Sequence, residues 1–262
     1  MRVLVLVPTR LKRNGAQRLF LEVALQSIAA QQLPAELNIR VEISIGVDPG
    51  AALPGDLLLP SNATVVEAAS ASQACALNAA AARFDHDFLA ILEDDDQWAP
   101  NFLHLSLVVM ERHGVNFVSS TQLQVDDDGK TLGINDFPIP SGWVMRRATW
   151  EAVGPFDVSY RFHLDNEWLG RLALRGGRRG HLLESTAPID PEWLDVRPYL
   201  RKFMECAGPN AGLMRHGNPV PLVRRLVHGG SGMALLRNNQ EAQMVGQQEY
   251  ERLRATFGRI PW

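Results

Sequence analysis

Phe88-Leu89-Ala90-Ile91-Leu92 is apolar without a break. A run of that length with no polar position after Asp87 reads as a strand covered on both faces. Residues 2–7 carry the same signature, and Pro8-Thr9-Arg10 then opens a polar loop through Gly15. Strict alternation marks another strand over residues 39–47, with Val41, Ile43, Ile45 and Val47 on one side, ending at Asp48-Pro49-Gly50. Residues 63–66 predict a third. Between these runs the spacing changes. Leu19, Phe20, Leu21, Val23, Ala24, Leu25 and Ile28 recur at three and four, which predicts a helix lying on a sheet and running out near Leu33-Pro34. Residues 70–83 form an Ala-rich helical stretch capped by Ser70 or Ser72.

The order strand, helix, strand, strand, helix, strand over the first hundred residues argues for a mostly parallel sheet with helices on both faces. Trp98-Ala99-Pro100 stops the last of these strands, and Pro100 suits the first turn of a helix over residues 101–110. Beyond Gly114 the strands shorten. Residues 115–120, 122–125, 131–133 and 143–145 read as strands, with Asp126-Asp127-Asp128-Gly129 as a turn. Residues 148–153 give a helical turn, and 166–175 a helix closed by Gly176-Gly177. A last strand is expected at 181–183, a helix over 191–206, then loops from Gly208 and a terminal helix over 239–257. The fold class is α/β: a mostly parallel central sheet flanked by helices, a smaller mixed sheet, and a C-terminal helical extension.

Composition narrows the function classes. A chain of 262 residues with 46% hydrophobic content can bury a full core and is long enough for an enzyme. Lys plus Arg number 26 against 29 acids, so a net charge of −3 gives no general attraction to nucleic acid or anionic lipid. Cys75 and Cys206 are the only cysteines and have no metal-type spacing, which favours a reducing compartment. No stretch reaches about 18 uninterrupted apolar residues, so the expectation is a cytoplasmic chain without a transmembrane segment. Peripheral docking to a membrane-bound partner stays open.

Two acidic runs then separate. Asp126-Asp127-Asp128 precedes Gly129-Lys130 between polar segments, which is the setting of a solvated turn. Glu93-Asp94-Asp95-Asp96 stands at the carboxyl end of a buried strand, where open α/β sheets bind ligands. Crowded there, carboxylates repel and raise one another's pKa. A hard divalent cation, Mn²⁺ or Mg²⁺, removes that repulsion; acids decorating a helix N-terminus are the plainer alternative.

A set of motifs now lines up. Val3-Leu4-Val5-Leu6-Val7-Pro8-Thr9-Arg10, Ser27-Ile28-Ala29-Ala30-Gln31, Ile45-Gly46-Val47-Asp48-Pro49-Gly50, Asn78 within Ala76-Leu77-Asn78-Ala79-Ala80, Leu92-Glu93-Asp94-Asp95-Asp96-Gln97-Trp98, Val153-Gly154-Pro155-Phe156-Asp157 and Leu164-Asp165-Asn166-Glu167-Trp168-Leu169 follow in order. Together, over residues 2–185, they resemble the family 2 glycosyltransferases of the GT-A fold. Glu93 stands where that family carries an Asp, Pro49 where a second Asp is usual, and Leu164 where it carries a Glu.

The resemblance implies a metal-dependent, inverting transfer of a sugar from a nucleoside-diphosphate sugar to the hydroxyl of a saccharide or other acceptor. Residues 1–100 would bind the nucleotide sugar, 101–190 the acceptor, and 191–262 would form a helical and loop extension. Pro8, Thr9, Arg10, Asp48, Asn78, Glu93, Asp94 and Asp96 would contact the donor. Asp48 would accept from the base or ribose, and Asp95 would hold the metal. His228, in His228-Gly229-Gly230-Ser231-Gly232, would close over the diphosphate or the metal, unless it is a solvated loop histidine. Asp165 matches the general base, taking the acceptor's proton; standing before a helix, it could also be an ordinary N-cap. Two other readings stay open. One is a glycosyltransferase-like binding protein without turnover. The other is a sugar-1-phosphate nucleotidyltransferase, whose Gly-rich opening loop has no counterpart in Pro8-Thr9-Arg10-Leu11-Lys12.

Overall fold

The N-terminal apolar run becomes β1 (Arg2–Thr9) in the computed structural model, which describes residues 1–82, 85–188, 190–207 and 210–261. Next come α1 (Phe20–Ala29), β2 (Arg40–Val47), β3 (Ala63–Glu67), α2 (Gln73–Ala81) and β4 (Phe88–Ile91), in the order the pattern predicts. Ser72 rather than Ser70 caps α2, its hydroxyl accepting the Cys75 N–H at 3.1 Å. Arg83, the expected end of that helix, lies outside the described residues.

The middle of the chain gives β5 (Gln97–Trp98), α3 (Phe102–His113), β6 (Phe117–Ser120), β7 (Gln122–Val125), β8 (Thr131–Asn135), β9 (Trp143–Arg146), α4 (Arg147–Val153), α5 (Leu164–Leu174) and β10 (Arg179–Leu183). Pro100 is not in the first turn of α3, which starts at Phe102 behind Asn101. Trp98 does not end regular structure either, because it pairs in β5 with a strand far downstream.

The last part departs most from expectation. The single helix over 191–206 is two, α6 (Pro191–Leu194) and α7 (Pro198–Ala207). Pro198 is the cause: inside a helix it would lose a hydrogen bond and clash with the preceding turn, whereas it fits a helix start. Gly208 and the side chain of Cys206 lie outside the described part. Where loops were expected, the chain forms β11 (Ala211–Arg215), β12 (Val223–Leu226) and α8 (Gly232–Asn238), before α9 (Gln240–Phe257). Those strands carry little apolar pattern of their own; their partners supply the context.

Among the described residues the large sheet runs β11-β10-β6-β9-β4-β1-β2-β3, parallel except for β9, which is antiparallel to β4 and β6. The smaller sheet, β5-β12-β7-β8, is mixed. β1 reads apolar from Val3 to Pro8 because both faces are covered. Val3, Val5 and Val7 pack with Leu21, Leu25 and Ile28 of α1 and with α3, while Leu4 and Leu6 pack with Leu77 of α2 and with Trp168 and Leu169 of α5. Each such buried aliphatic side chain contributes about 1.5–3 kcal/mol. Gly46 permits the close approach of α2 to the sheet: a Cβ there would lie 2.2 Å from the Ala76 carbonyl oxygen. That contact brings the start of α2 to the carboxyl edge of the sheet.

Candidate active site

The pairing of β1 with β4 ends at Leu6 opposite Ile91, and the Leu92 N–H closes it on the Leu6 carbonyl at 3.0 Å. β1 continues to Thr9 alongside β2. The carbonyls of Arg2 and Leu6 both point to the β4 side, so Pro8 turns its missing N–H to that side, past the end of β4. The two strands part there. A cleft of about 1070 Å³ opens, and the chain leaving β4 turns into it through Glu93 to Asp96, with the Asp96 N–H on the Glu93 carbonyl at 3.1 Å. Trp98 anchors the far end of the turn, its indole N–H donating to the Ser141 carbonyl at 2.6 Å.

Each acid has its own partners. Glu93 accepts from Gln73 Nε2 on one oxygen and lies near the Ser141 hydroxyl, 3.4 Å away, with the other. Asp94 accepts the Thr9 hydroxyl, whose oxygen in turn accepts the Leu11 N–H at 2.9 Å. Leu11 has φ of 54°, a left-handed conformation uncommon for a side chain of that size, held just after the Pro8-Thr9-Arg10 edge. Asp95 Oδ2 meets His228 Nε2 at 2.9 Å. Asp96, 1% exposed, accepts the Leu226 N–H of β12 on Oδ1 at 3.0 Å, while its Oδ2 is buried with no partner.

Removal from water dominates the electrostatics. Burial, reinforced by the charge of Asp95, pushes Glu93 and Asp94 up to about 7, and raises Asp96 well above the carboxylate range. Arg225 of β12 opposes this at Glu93 and Asp96 without making a direct ion pair. His228 is held above its ordinary value by its hydrogen bond to Asp95, with the charge of Asp127 adding to it.

One carboxylate oxygen each from Glu93, Asp95 and Asp96 lies within 4.8 Å of the others. Three hard oxygen donors at that separation, one residue with an orphaned buried oxygen, suit a divalent cation. The set differs from the expected pair of Asp95 and His228: Glu93 and Asp96 join Asp95, and His228 sits on Asp95 itself.

Asp165 lies in the first turn of α5 rather than before the helix; the N-cap is His163. Its Oδ1 accepts the Asn166 N–H at 2.8 Å. Burial raises its pKa, and its charge in turn raises Glu93. Pro8, Thr9, Arg10, Asp48, Glu93, Asp94, Asp95, Asp96, Asp165 and His228 all line the one cleft. Asn78 does not. Its amide donates to the Phe156 carbonyl at 2.9 Å and accepts the Phe156 N–H at 2.8 Å, so both ends hold the loop before α5.

Sequence reasoning missed Gln73, Lys12 and above all Arg225, which line the same cleft. Arg225 had no local signal, because it lies in a stretch that reads as loop. Lys12 did have one: it follows the Pro8-Thr9-Arg10 edge directly.

No protein-family model matches the chain, and no curated protein sequence matches it. Solved structures do. The chain is similar to S. aureus TarS 1-349 in complex with UDP, at 13% identity and TM-score 0.55, covering 98% of this chain and 72% of that one. It is similar to the same protein in complex with UDP-GlcNAc, at 13% identity and TM-score 0.56, covering 98% and 73%. A further TarS 1-349 structure is covered over 55% of its length. The longer TarS structure is covered over 43% of its length, at 12% identity and TM-score 0.53. The likeness is one of fold: a large, mostly parallel sheet flanked by helices with a smaller sheet beside it, the GT-A-like architecture.

Proposed function

We infer that this chain is an inverting, metal-dependent glycosyltransferase of the family 2 type, moving a sugar from a nucleoside-diphosphate sugar to an acceptor hydroxyl. The observation that carries this reading is the shared cleft: Asp165 faces the acids at the end of β4 closely enough for its charge to raise Glu93. The fold neighbours hold UDP and UDP-GlcNAc, which makes a uridine-diphosphate sugar the first donor to test. Residues 1–100 supply the donor half and residues 101–190 the acceptor half.

The residues divide the work by their chemistry. Asp48, at the end of β2, accepts from the base or ribose. Glu93, Asp95 and Asp96 would hold Mn²⁺ or Mg²⁺, and a cation bound there would supply positive charge against the departing diphosphate. Arg225 adds a positive charge of the protein's own on the same side. Asp165 lines the cleft with Oδ1 spent on the Asn166 N–H, so we assign the proton to Oδ2. There it takes the acceptor hydroxyl's proton while the oxygen bonds the anomeric carbon and the bond to the diphosphate breaks, its electron pair leaving with the diphosphate. Attack from the face opposite the leaving group inverts the centre. Burial suits the role, since a raised pKa makes the carboxylate a stronger base.

The test is a thermal-shift titration with uridine diphosphate, with and without Mn²⁺, followed by transfer assays on Asp165→Asn. Stabilisation that requires Mn²⁺, and transfer lowered about 10²–10⁴-fold in the variant with nucleotide affinity unchanged, is the expected result. Full transfer activity in Asp165→Asn would sink the base assignment. Nucleotide binding without turnover in the unaltered protein would favour the binding-protein reading.

A further inference from the structure

Helix α9 reaches the cleft through Tyr250. Glu249 lies on it, 5% exposed, and none of the described ion pairs includes it. Its carboxylate accepts three successive backbone N–H groups: Arg161 at 2.6 Å on Oε1, then Phe162 at 2.9 Å and His163 at 3.0 Å on Oε2. A carboxylate buried without a cation is costly unless its oxygens are satisfied in this way.

The three donors are the residues directly before α5. A helix start leaves backbone N–H groups without partners, and His163 at the N-cap offers no side-chain cap. Glu249 takes up the donors leading into that start from the other end of the sequence. Two residues beyond the last of them stands Asp165. Other contacts hold the same two segments together. Asn166 Nδ2 donates to the Pro261 carbonyl at 2.6 Å, and a Cβ on Gly170 would come within 2.6 Å of the Phe257 ring. The direction in which α5 begins is therefore set by α9 and the residues after it.

We propose that Glu249 is a positioning residue for Asp165: by fixing the backbone of residues 161–163 it aims the first turn of α5, and with it the Asp165 carboxylate, at the acceptor. The proposal rests on the reading of Asp165 as the base, so its test carries one readout that does not depend on activity. Glu249→Gln, Glu249→Asp and, as a control for a merely loosened helix, Leu253→Ala are compared in the full chain; Leu253 is fully buried on the same helix and its side chain has no acceptor for the three donors. Amide hydrogen exchange at residues 161–163, uridine diphosphate affinity, and kcat and KM for transfer are measured.

Glu249→Gln removes the charge and turns a donor toward at least one N–H. Exchange at residues 161–163 should quicken about tenfold, and kcat should fall about 10²-fold, the loss that about 1 Å of misplacement brings. Donor KM and nucleotide affinity should stay within about twofold. Glu249→Asp keeps both acceptor oxygens but draws them back by one methylene, so it should recover only part of the lost kcat. Unchanged exchange in Glu249→Gln overturns the clamp, whether or not the protein turns over. Faster exchange with unchanged kcat overturns the positioning role. A fall in kcat and nucleotide affinity together, matching Leu253→Ala, reduces Glu249 to a stabilising contact. Absence of transfer by the unaltered protein overturns the catalytic reading of Asp165, and the positioning role with it, while exchange still reports on the clamp.

Discussion

Two stretches of this chain are nearly identical in composition, and the fold treats them in opposite ways. Glu93 to Asp96 leave a strand covered on both faces and turn into a cleft, where Glu93 and Asp94 are pushed up to about 7. Asp126 to Asp128 close the hairpin between β7 and β8. Asp126 spends Oδ1 on its own turn, accepting the Asp128 N–H at 3.2 Å and the Lys130 N–H at 2.8 Å, and Asp127 and Asp128 lie in solvent. Gly129, at φ of 79°, completes the turn. Consecutive carboxylates have their pKa raised where the backbone delivers them into a partly desolvated cleft; at a hairpin they are turn residues. The contrast has one exception. The charge of Asp127 helps raise His228, so the hairpin stands on the rim of the site.

The contrast can be broken at several levels. The largest effect is expected at Asp95→Ala, which should abolish the Mn²⁺-dependent stabilisation by uridine diphosphate. At a hundred times Kd that stabilisation amounts to about 2.7 kcal/mol, or about 5–10 °C in Tm; an unchanged Mn²⁺ response would remove Asp95 from the cation site.

Next comes pH. Glu93 and Asp94 hold protons more tightly folded than unfolded, so their contribution to stability is fully present below about pH 4 and lost as pH rises through about 7. Ion-free protein should melt progressively lower between pH 5 and 7.5, and Mn²⁺ should raise Tm more at pH 7.5 than at pH 6. A flat profile in denaturation scans would contradict the burial of these acids.

Smaller still is Asp126→Ala, which removes the turn's internal acceptor and should cost about 0.5–1 kcal/mol by urea titration, without changing Mn²⁺ binding. The smallest is Asp127→Ala. Only a weak charge on His228 is lost, so transfer should stay within about twofold; a larger drop would put the hairpin inside the working site.

The contrast also marks what the sequence could reveal. β1 and β4 were legible because burial on both faces leaves their interiors without a polar position, β2 because its apolar residues alternate, and the acid turn was legible because it follows a strand of the first kind. β12 was not. Val223-Arg224-Arg225-Leu226 has two cations in four residues and becomes a strand only between β5 and β7, so its pairing is written in those partners. Arg225 and the Asp96 to Leu226 hydrogen bond stayed hidden with it. The split between α6 and α7 was legible in principle, since Pro198 forbids a continuous helix. Asn78 shows the limit of motif matching: the residue stands where the resemblance puts it, but its amide is taken by Phe156.

β12 has a consequence for how the molecule comes into being. The acid turn is synthesised long before Leu226, and it is Leu226 that donates to Asp96 and Arg225 that faces the cluster. Until that late segment emerges and slots between β5 and β7, Asp96 lacks the Leu226 N–H and the cluster lacks the opposing charge of Arg225. The acid turn is completed by a strand 130 residues further along the chain, so a nascent chain arrested ahead of β12 would carry the acids without the cation that faces them.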